Sequence, residues 1–273
     1  MVNRSSLMND GAHPDLHNDS AKRDVPVPSV GSLAAKLLLF LLGVIAGSVD
    51  VIGFLGLGGL FTAHITGNLV FLAARLVAGE QAPLAYLIAV PVFIIALALT
   101  TLLAAGLARI RIRSLLPLLF LQFLLLLALF NVCVDADRGV DPASARMIFA
   151  GMLGVCAMAV QNALVRISLR GASSTAAMTT NITIFTMDVV GMLLSRDARD
   201  IASARERAGN TWPAIAGFLF GCTVGAASEA AFGLQSLKLP AALALFAIAL
   251  GLFAALHDAE ATNLPKGERY DER

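Results

Sequence analysis

From residue 33 onward the chain alternates between apolar runs of helix length and short polar interruptions. Runs long enough to cross a bilayer core, about 20 residues each, fall near 33–53, 57–77, 84–107, 115–134, 145–164, 174–194, 212–232 and 239–256. This pattern predicts an all-α, polytopic transmembrane helical bundle of about eight spans. Six or seven spans is the alternative count, because the second and sixth runs open in small and polar residues and would also suit a re-entrant or broken segment. Residues 1–32 show no apolar periodicity and read as a disordered cytoplasmic tail, and 257–273 read as a polar C-terminal tail. No apolar region begins before Gly31, which argues against a cleaved signal peptide.

The apolar sequence is internally similar. A first stretch, 43–78, carries Asp50 at the end of one apolar run, then a glycine-rich linker, then His64, Thr66, Gly67 and Asn68 at the start of the next. A second stretch, 154–190, repeats the order with Gln161 and Asn162, a small-residue linker, and Thr180 and Asn181. Asp50 to Asn68 is 18 positions and Asn162 to Asn181 is 19, so the copies stay nearly in register. Two internal repeats are expected, 33–134 and 145–256, with a polar centre made of one copy from each.

Composition agrees with a bilayer as the solvent: 58% hydrophobic and 14% charged residues with a mean hydropathy of +0.78, where soluble domains carry nearer a quarter charged. A net charge of +1 gives no electrostatic footprint for nucleic acid. Cys133, Cys156 and Cys222 stand far apart in apolar runs and read as core residues. With eight spans and the N-terminus inside, Lys and Arg divide 14 to 6 in favour of the cytoplasmic side, which places both termini in the cytoplasm. Arg109, Arg111 and Arg113 run against that count, and would turn cytoplasmic if one earlier run failed to cross. Four spans per half make the repeats parallel, and three make them inverted. The polar segment 195–210 reads as a solvated loop or short surface helix.

Ionisable groups inside membrane spans need a partner or water, so Asp50 is the leading candidate for a cation or proton site. Gln161 and Asn162 stand at its place in the second copy and cannot titrate. His64 is a candidate relay partner for Asp50. Thr66, Gly67 and Asn68, and Thr180 and Asn181, suit the start of half-helices whose N–H groups and positive dipole end face an ion pathway. Arg75 and Asp188 fall seven residues beyond the two Asn residues and suggest a gate pair. Gly43 and Gly47, with Gly217, Gly221 and Gly225, are close-packing seams that could also serve a homo-oligomer. No catalytic set, metal site or cofactor motif is read in the sequence, and an enzyme is not expected.

The stretches GSVDVIGFLGLGGLFTAHITGN, GVCAMAVQNALVRI and SSTAAMTTNIT resemble the YoaK-like family of small bacterial multispanning membrane proteins of unknown function, over about 37–256. The resemblance implies a multi-pass protein of the bacterial inner membrane. The family's acid-then-TGN pattern lands on Asp50, Thr66, Gly67 and Asn68. Its second pattern lands on Gln161, Asn162, Thr180 and Asn181, where this chain lacks the glycine. The functional expectation is a secondary transporter or permease for a small solute, coupled to protons or cations; the alternative is a scaffold or sensor whose polar motifs only lock helices.

Overall fold

The computed structural model describes residues 32–79, 83–134, 141–169 and 171–263, with side chains up to Phe253. The N-terminal tail reading lies outside these residues but for Ser32; of the C-terminal tail reading, 257–263 continue the last helix, which corrects it there, and the rest lies outside the described residues. Eight α-helices form: α1 (Leu33–Gly56), α2 (Ile65–Val77), α3 (Leu84–Arg109), α4 (Leu115–Cys133), α5 (Ala145–Ser168), α6 (Met178–Leu194), α7 (Ala198–Phe232) and α8 (Lys238–Asn263), with a 3-10 turn at Gly233–Leu237. Among the described residues there is no strand. Serine hydroxyls start the first helix of each half, Ser32 accepting from the Ala35 N–H and Ser144 from the Met147 N–H.

Five stretches are long and apolar enough to cross a membrane: α1, α3, α4, α5, and a continuous one over 198–253 that contains α7, the 3-10 turn and most of α8. α2 and α6 are shorter, at 13 and 17 residues, or about 20 and 26 Å against a hydrocarbon core of about 30 Å. The runs 57–77 and 174–194 are therefore not single helices. Gly58 and Gly59 take positive φ angles of 71° and 87° and end α1, so the chain unwinds before α2 begins. The segment 195–210 is not a loop either. Asp197 caps α7 by accepting from the Arg199 N–H, and the alternating charges are the solvated faces of the first turns of a 35-residue helix.

Contacts between helix ends fix their directions. α1 and α7 run parallel, because Phe40 meets Gly217, Val44 meets Gly221 and Ser48 meets Gly225. α4 and α5 run antiparallel, joined at one end by Ser114 and Ser168 (2.9 Å) and at the other by Arg146 donating to the Val132 carbonyl (2.8 Å). Gly251 of α8 lies on Leu115, Leu116 and Leu119, so α4 and α8 are antiparallel too. The Tyr86 hydroxyl donates to the Gly58 carbonyl (2.6 Å), which puts the start of α3 on the face where α1 ends. Arg75, near the end of α2, lines a cavity on that same face with Gly58 and Tyr86. The segment 57–64 thus turns back into the bundle and α2 brings the chain out again on the side it left.

The helices that pack on one another are α1 with α5, α7 and α8; α3 with α2 and α5; α4 with α5 and α8; and α6 with α7. Exchanging α1 with α5, α2 with α6, α3 with α7 and α4 with α8 leaves that set unchanged. The core lies between α1 and α5, whose spans are the most buried of the candidates. The α1–α7 seam is the closest approach. A Cβ on Gly43 would sit 2.8 Å from the Ala214 carbonyl, and one on Gly221 would collide with that of Val44. All five seam glycines pack within the chain, between α1 and α7.

Gly221→Ala should lower thermal stability in detergent by about 1–3 kcal/mol through overpacking. Gly106→Ala, with nothing within 4 Å of the added carbon, should be neutral or stabilising by up to about 1 kcal/mol. Equal effects of the two on the unfolding midpoint would show that the seam is looser than its geometry.

Candidate functional site

The backbone of 57–64 leaves the helix among packed side chains, so its N–H groups need partners there. Asp50, one and a half turns before the end of α1 and 4% exposed, supplies them. Its Oδ1 accepts from the N–H groups of Thr62 (2.8 Å), Ala63 (2.7 Å) and His64 (3.4 Å), and also from the Thr62 hydroxyl at 3.4 Å. Successive N–H groups turned onto one anion form a nest. The other oxygen, Oδ2, lies 2.7 Å from His64 Nδ1. The imidazole is one-third exposed and packs edge-on against Phe218 of α7, ring centres 5.1 Å apart.

Asn68 closes the other side of the turn. Its amide oxygen accepts from the Phe61 N–H (2.9 Å) and its amide nitrogen donates to the Phe61 carbonyl (2.8 Å), a two-point clasp seven residues long. Phe61 stacks on Phe54 at 4.8 Å and meets Phe71 at 5.8 Å. A Cβ on Gly67 would press 2.8 Å from the Phe61 ring, so the glycine makes room for that aromatic lid. Thr66 points outward and is exposed. The expectation that Thr or Asn caps α2 is corrected: His64 stands at the cap and its side chain makes no capping bond to the helix backbone, and the acceptor for its own N–H comes from Asp50 of α1.

The second copy repeats this arrangement with neutral groups. Asn181 donates to the Ser174 carbonyl (2.6 Å), again across seven residues, and Asn162 accepts from the Ser174 hydroxyl (3.2 Å) across twelve, the separation of Asp50 from Thr62. Gln161 donates to the Thr175 hydroxyl (2.8 Å) and to the Leu42 carbonyl of α1 (2.9 Å), and accepts from Gln122 of α4 (2.6 Å). Ser173 donates to Thr211 of α7 (3.0 Å). Three successive hydroxyls, Ser173, Ser174 and Thr175, thus tie the unwound segment to α7 and α5. Thr180 is exposed, like Thr66.

Arg75 and Asp188 are not brought together. Asp188, 5% exposed, accepts from Arg207 of α7 at 2.7 and 3.0 Å, an ion pair at the solvated end of the bundle. Arg75 lies on the opposite face in a cavity of about 200 Å³ with Tyr86 and Asp141. The seven-residue spacing that suggested a gate places each residue on the inward side of its own half-helix, but the two half-helices open to opposite faces. Sequence reasoning missed Thr62, Gln122, Ser174, Thr175 and Arg207. Gln122 was visible as an amide in the middle of an apolar run; Thr62 and Ser174 act partly through backbone atoms, which side-chain identity does not report.

The chain belongs to the family described as protein of unknown function DUF1275, with the match over residues 38–250, from early in α1 to late in α8 and including both centres. No curated protein and no solved structure matches it.

Asn68→Leu leaves both the N–H and the carbonyl of Phe61 without their partner, at about 1–3 kcal/mol for each orphaned group, whereas Asn181→Leu frees only the Ser174 carbonyl. Unfolding of the two variants in detergent should therefore rank Asn68→Leu as the more destabilised. Thr66→Ala and Thr180→Ala should stay within about 0.5 kcal/mol of the parent. The reverse ranking would mean that these clasps do not hold the turns.

Proposed function

We propose that this member of a family without assigned function is an inner-membrane secondary transporter for a small solute, coupled to protons or cations through Asp50. It crosses the bilayer six times, by α1, α3, α4, α5, α7 and α8, and the unwound segments with α2 and α6 are re-entrant from opposite faces. Three crossings per half make the halves inverted repeats, in place of the parallel repeats of an eight-span chain. The observation that carries this reading is the placement of two broken, polar, half-helical excursions on the same central pair, α1 and α5, in a packing pattern unchanged by exchanging the halves. Inverted repeats with discontinuous helices meeting near the midplane are a recurrent plan of transporters.

The charge distribution supports six crossings. Assigned by the segment of sequence in which each falls, only Arg75, Arg138, Arg146 and Lys238 lie on the far side, so sixteen of the twenty Lys and Arg residues share the face of the N-terminus. Arg109, Arg111 and Arg113, contrary to an eight-span count, join the majority, and both termini are cytoplasmic. The likeness to the YoaK-like proteins accords with a bacterial inner membrane. The reading is not enzymatic, and it assigns no catalytic residue, metal or cofactor.

In this reading the Asp50 carboxylate organises the first re-entrant turn, and a proton passed from His64, whose unperturbed titration lies near neutrality, withdraws part of that acceptor and loosens the turn. The second turn, held by amides and hydroxyls, does not respond to protons. One observation favours the alternative of a locked scaffold: among the described residues only Gln122 Oε1 and Asp188 Oδ2 are buried without a partner.

Cysteines placed at 109–114 and in 135–140 separate the span counts. Six crossings predict labelling from the cytoplasmic side at the first and from the outside at the second; an eight-span chain gives the reverse. For mechanism, uptake into reconstituted vesicles under an imposed proton gradient should fall at least ten-fold in Asp50→Asn at equal folded protein. Full uptake in that variant removes Asp50 as the coupling group, and a chain that moves no solute in a broad screen is the scaffold.

A further inference from the structure

The turn joining α3 to α4 reads Arg109, Ile110, Arg111, Ile112, Arg113, and every one of these side chains is exposed, Ile110 at 64% and Ile112 at 47%. Arg111 has φ 59°, and is the one non-glycine residue with positive φ among those described. The Ile112 N–H bonds the Leu107 carbonyl (2.9 Å) and the Arg111 N–H the Ala108 carbonyl (3.1 Å), which is the left-handed closure of a helix that glycine ordinarily provides. An L side chain there costs of order 1 kcal/mol, so backbone preference argues for glycine at this position. Among the described residues neither Arg109 nor Arg111 has an ion-pair partner. Beyond the turn, Ser114 gives α4 no side-chain cap, its hydroxyl being turned to Ser168, so the positive end of α4 adds to the same site.

We propose that this turn is a binding surface for the headgroup of an anionic phospholipid. The arginines take the phosphate, and Ile110 and Ile112 sit among the upper acyl carbons. Alternation of charged and branched apolar side chains over five residues fits the boundary between headgroups and hydrocarbon, where a phosphate and an apolar phase lie within one side chain's reach. A free phosphate would leave the two isoleucines unexplained. The inference rests on the six-crossing arrangement only in placing the turn in the cytoplasmic leaflet; lipid contact from either leaflet can be measured without any transport assay.

The test uses the full chain with Trp212, its single tryptophan, replaced by Phe and Ile112→Trp as the reporter, in vesicles of phosphatidylcholine with a minority of brominated phosphatidylglycerol or brominated phosphatidylcholine. Quenching should show phosphatidylglycerol enriched several-fold over its bulk share. Arg109→Gln with Arg111→Gln should bring phosphatidylglycerol down to its bulk share, each arginine contributing at most about five-fold, and added inorganic phosphate should leave the enrichment of the parent unchanged. In the chain that keeps Ile112 and Trp212, Arg111→Gly should unfold no earlier than its parent in plain detergent, and should gain less thermal protection than its parent from added phosphatidylglycerol. Equal quenching by the two brominated lipids, displacement by inorganic phosphate, or an Arg111→Gly chain that is less stable yet keeps its full response to phosphatidylglycerol would each overturn the proposal. The thermal arm remains decisive if the tryptophan reporter perturbs the turn.

Discussion

A peptide N–H buried away from water must be given a partner, and in hydrocarbon this requirement is close to absolute. The chain breaks its helices twice in the interior, so the partners must come from side chains. At the first break Asp50 and Asn68 between them satisfy the N–H groups from Phe61 to His64. The same demand explains why a carboxylate can be buried in an apolar helix: the converging dipoles replace the water it would otherwise need. At the first break, acid and unwound backbone make each other tenable.

The two breaks meet this demand with different chemistry. A formal charge gathers five contacts on two oxygen atoms, whereas the second break distributes its bonds over Gln161, Asn162, Asn181 and three hydroxyls. Equivalent shapes therefore have unequal sensitivity to a proton. The seam glycines act on the same region by bringing α7 onto α1, which sets Phe218 against His64 and encloses one side of the charged centre.

Much of this was readable in the residues. Helix class, the near-register of the two motifs and the importance of Asp50, Asn68, Asn162 and Asn181 follow from isolated polar groups in apolar sequence. The shortness of α2 and α6 was legible only as an alternative, from the small and polar residues that open those runs; Leu57, Leu60 and Phe61 are as apolar as any span residue, and the backbone φ at Gly58 and Gly59 places the first break. Arg75 and Asp188 misled for a related reason: sequence spacing fixes the face of a helix, whereas partnership depends on which end of the bundle that helix enters from. In the sequence the long α7 divides into a polar loop or surface helix and a separate span, because solvated first turns and buried later turns look like two elements when only polarity is counted.

The range over which each polar centre draws its bonds also orders their assembly. The hydrogen bonds that Asp50 and Asn68 make to the first turn all lie between residues 50 and 68, so that clasp can close while the rest of the chain is still being made. The second turn depends on the Leu42 carbonyl, 119 residues upstream of Gln161, and on Thr211, which is synthesised later still. Synthesis from the N-terminus therefore sets a template before it sets what is fitted to it. Errors in the first half propagate to the second, while the reverse is buffered by contacts that are already local and complete.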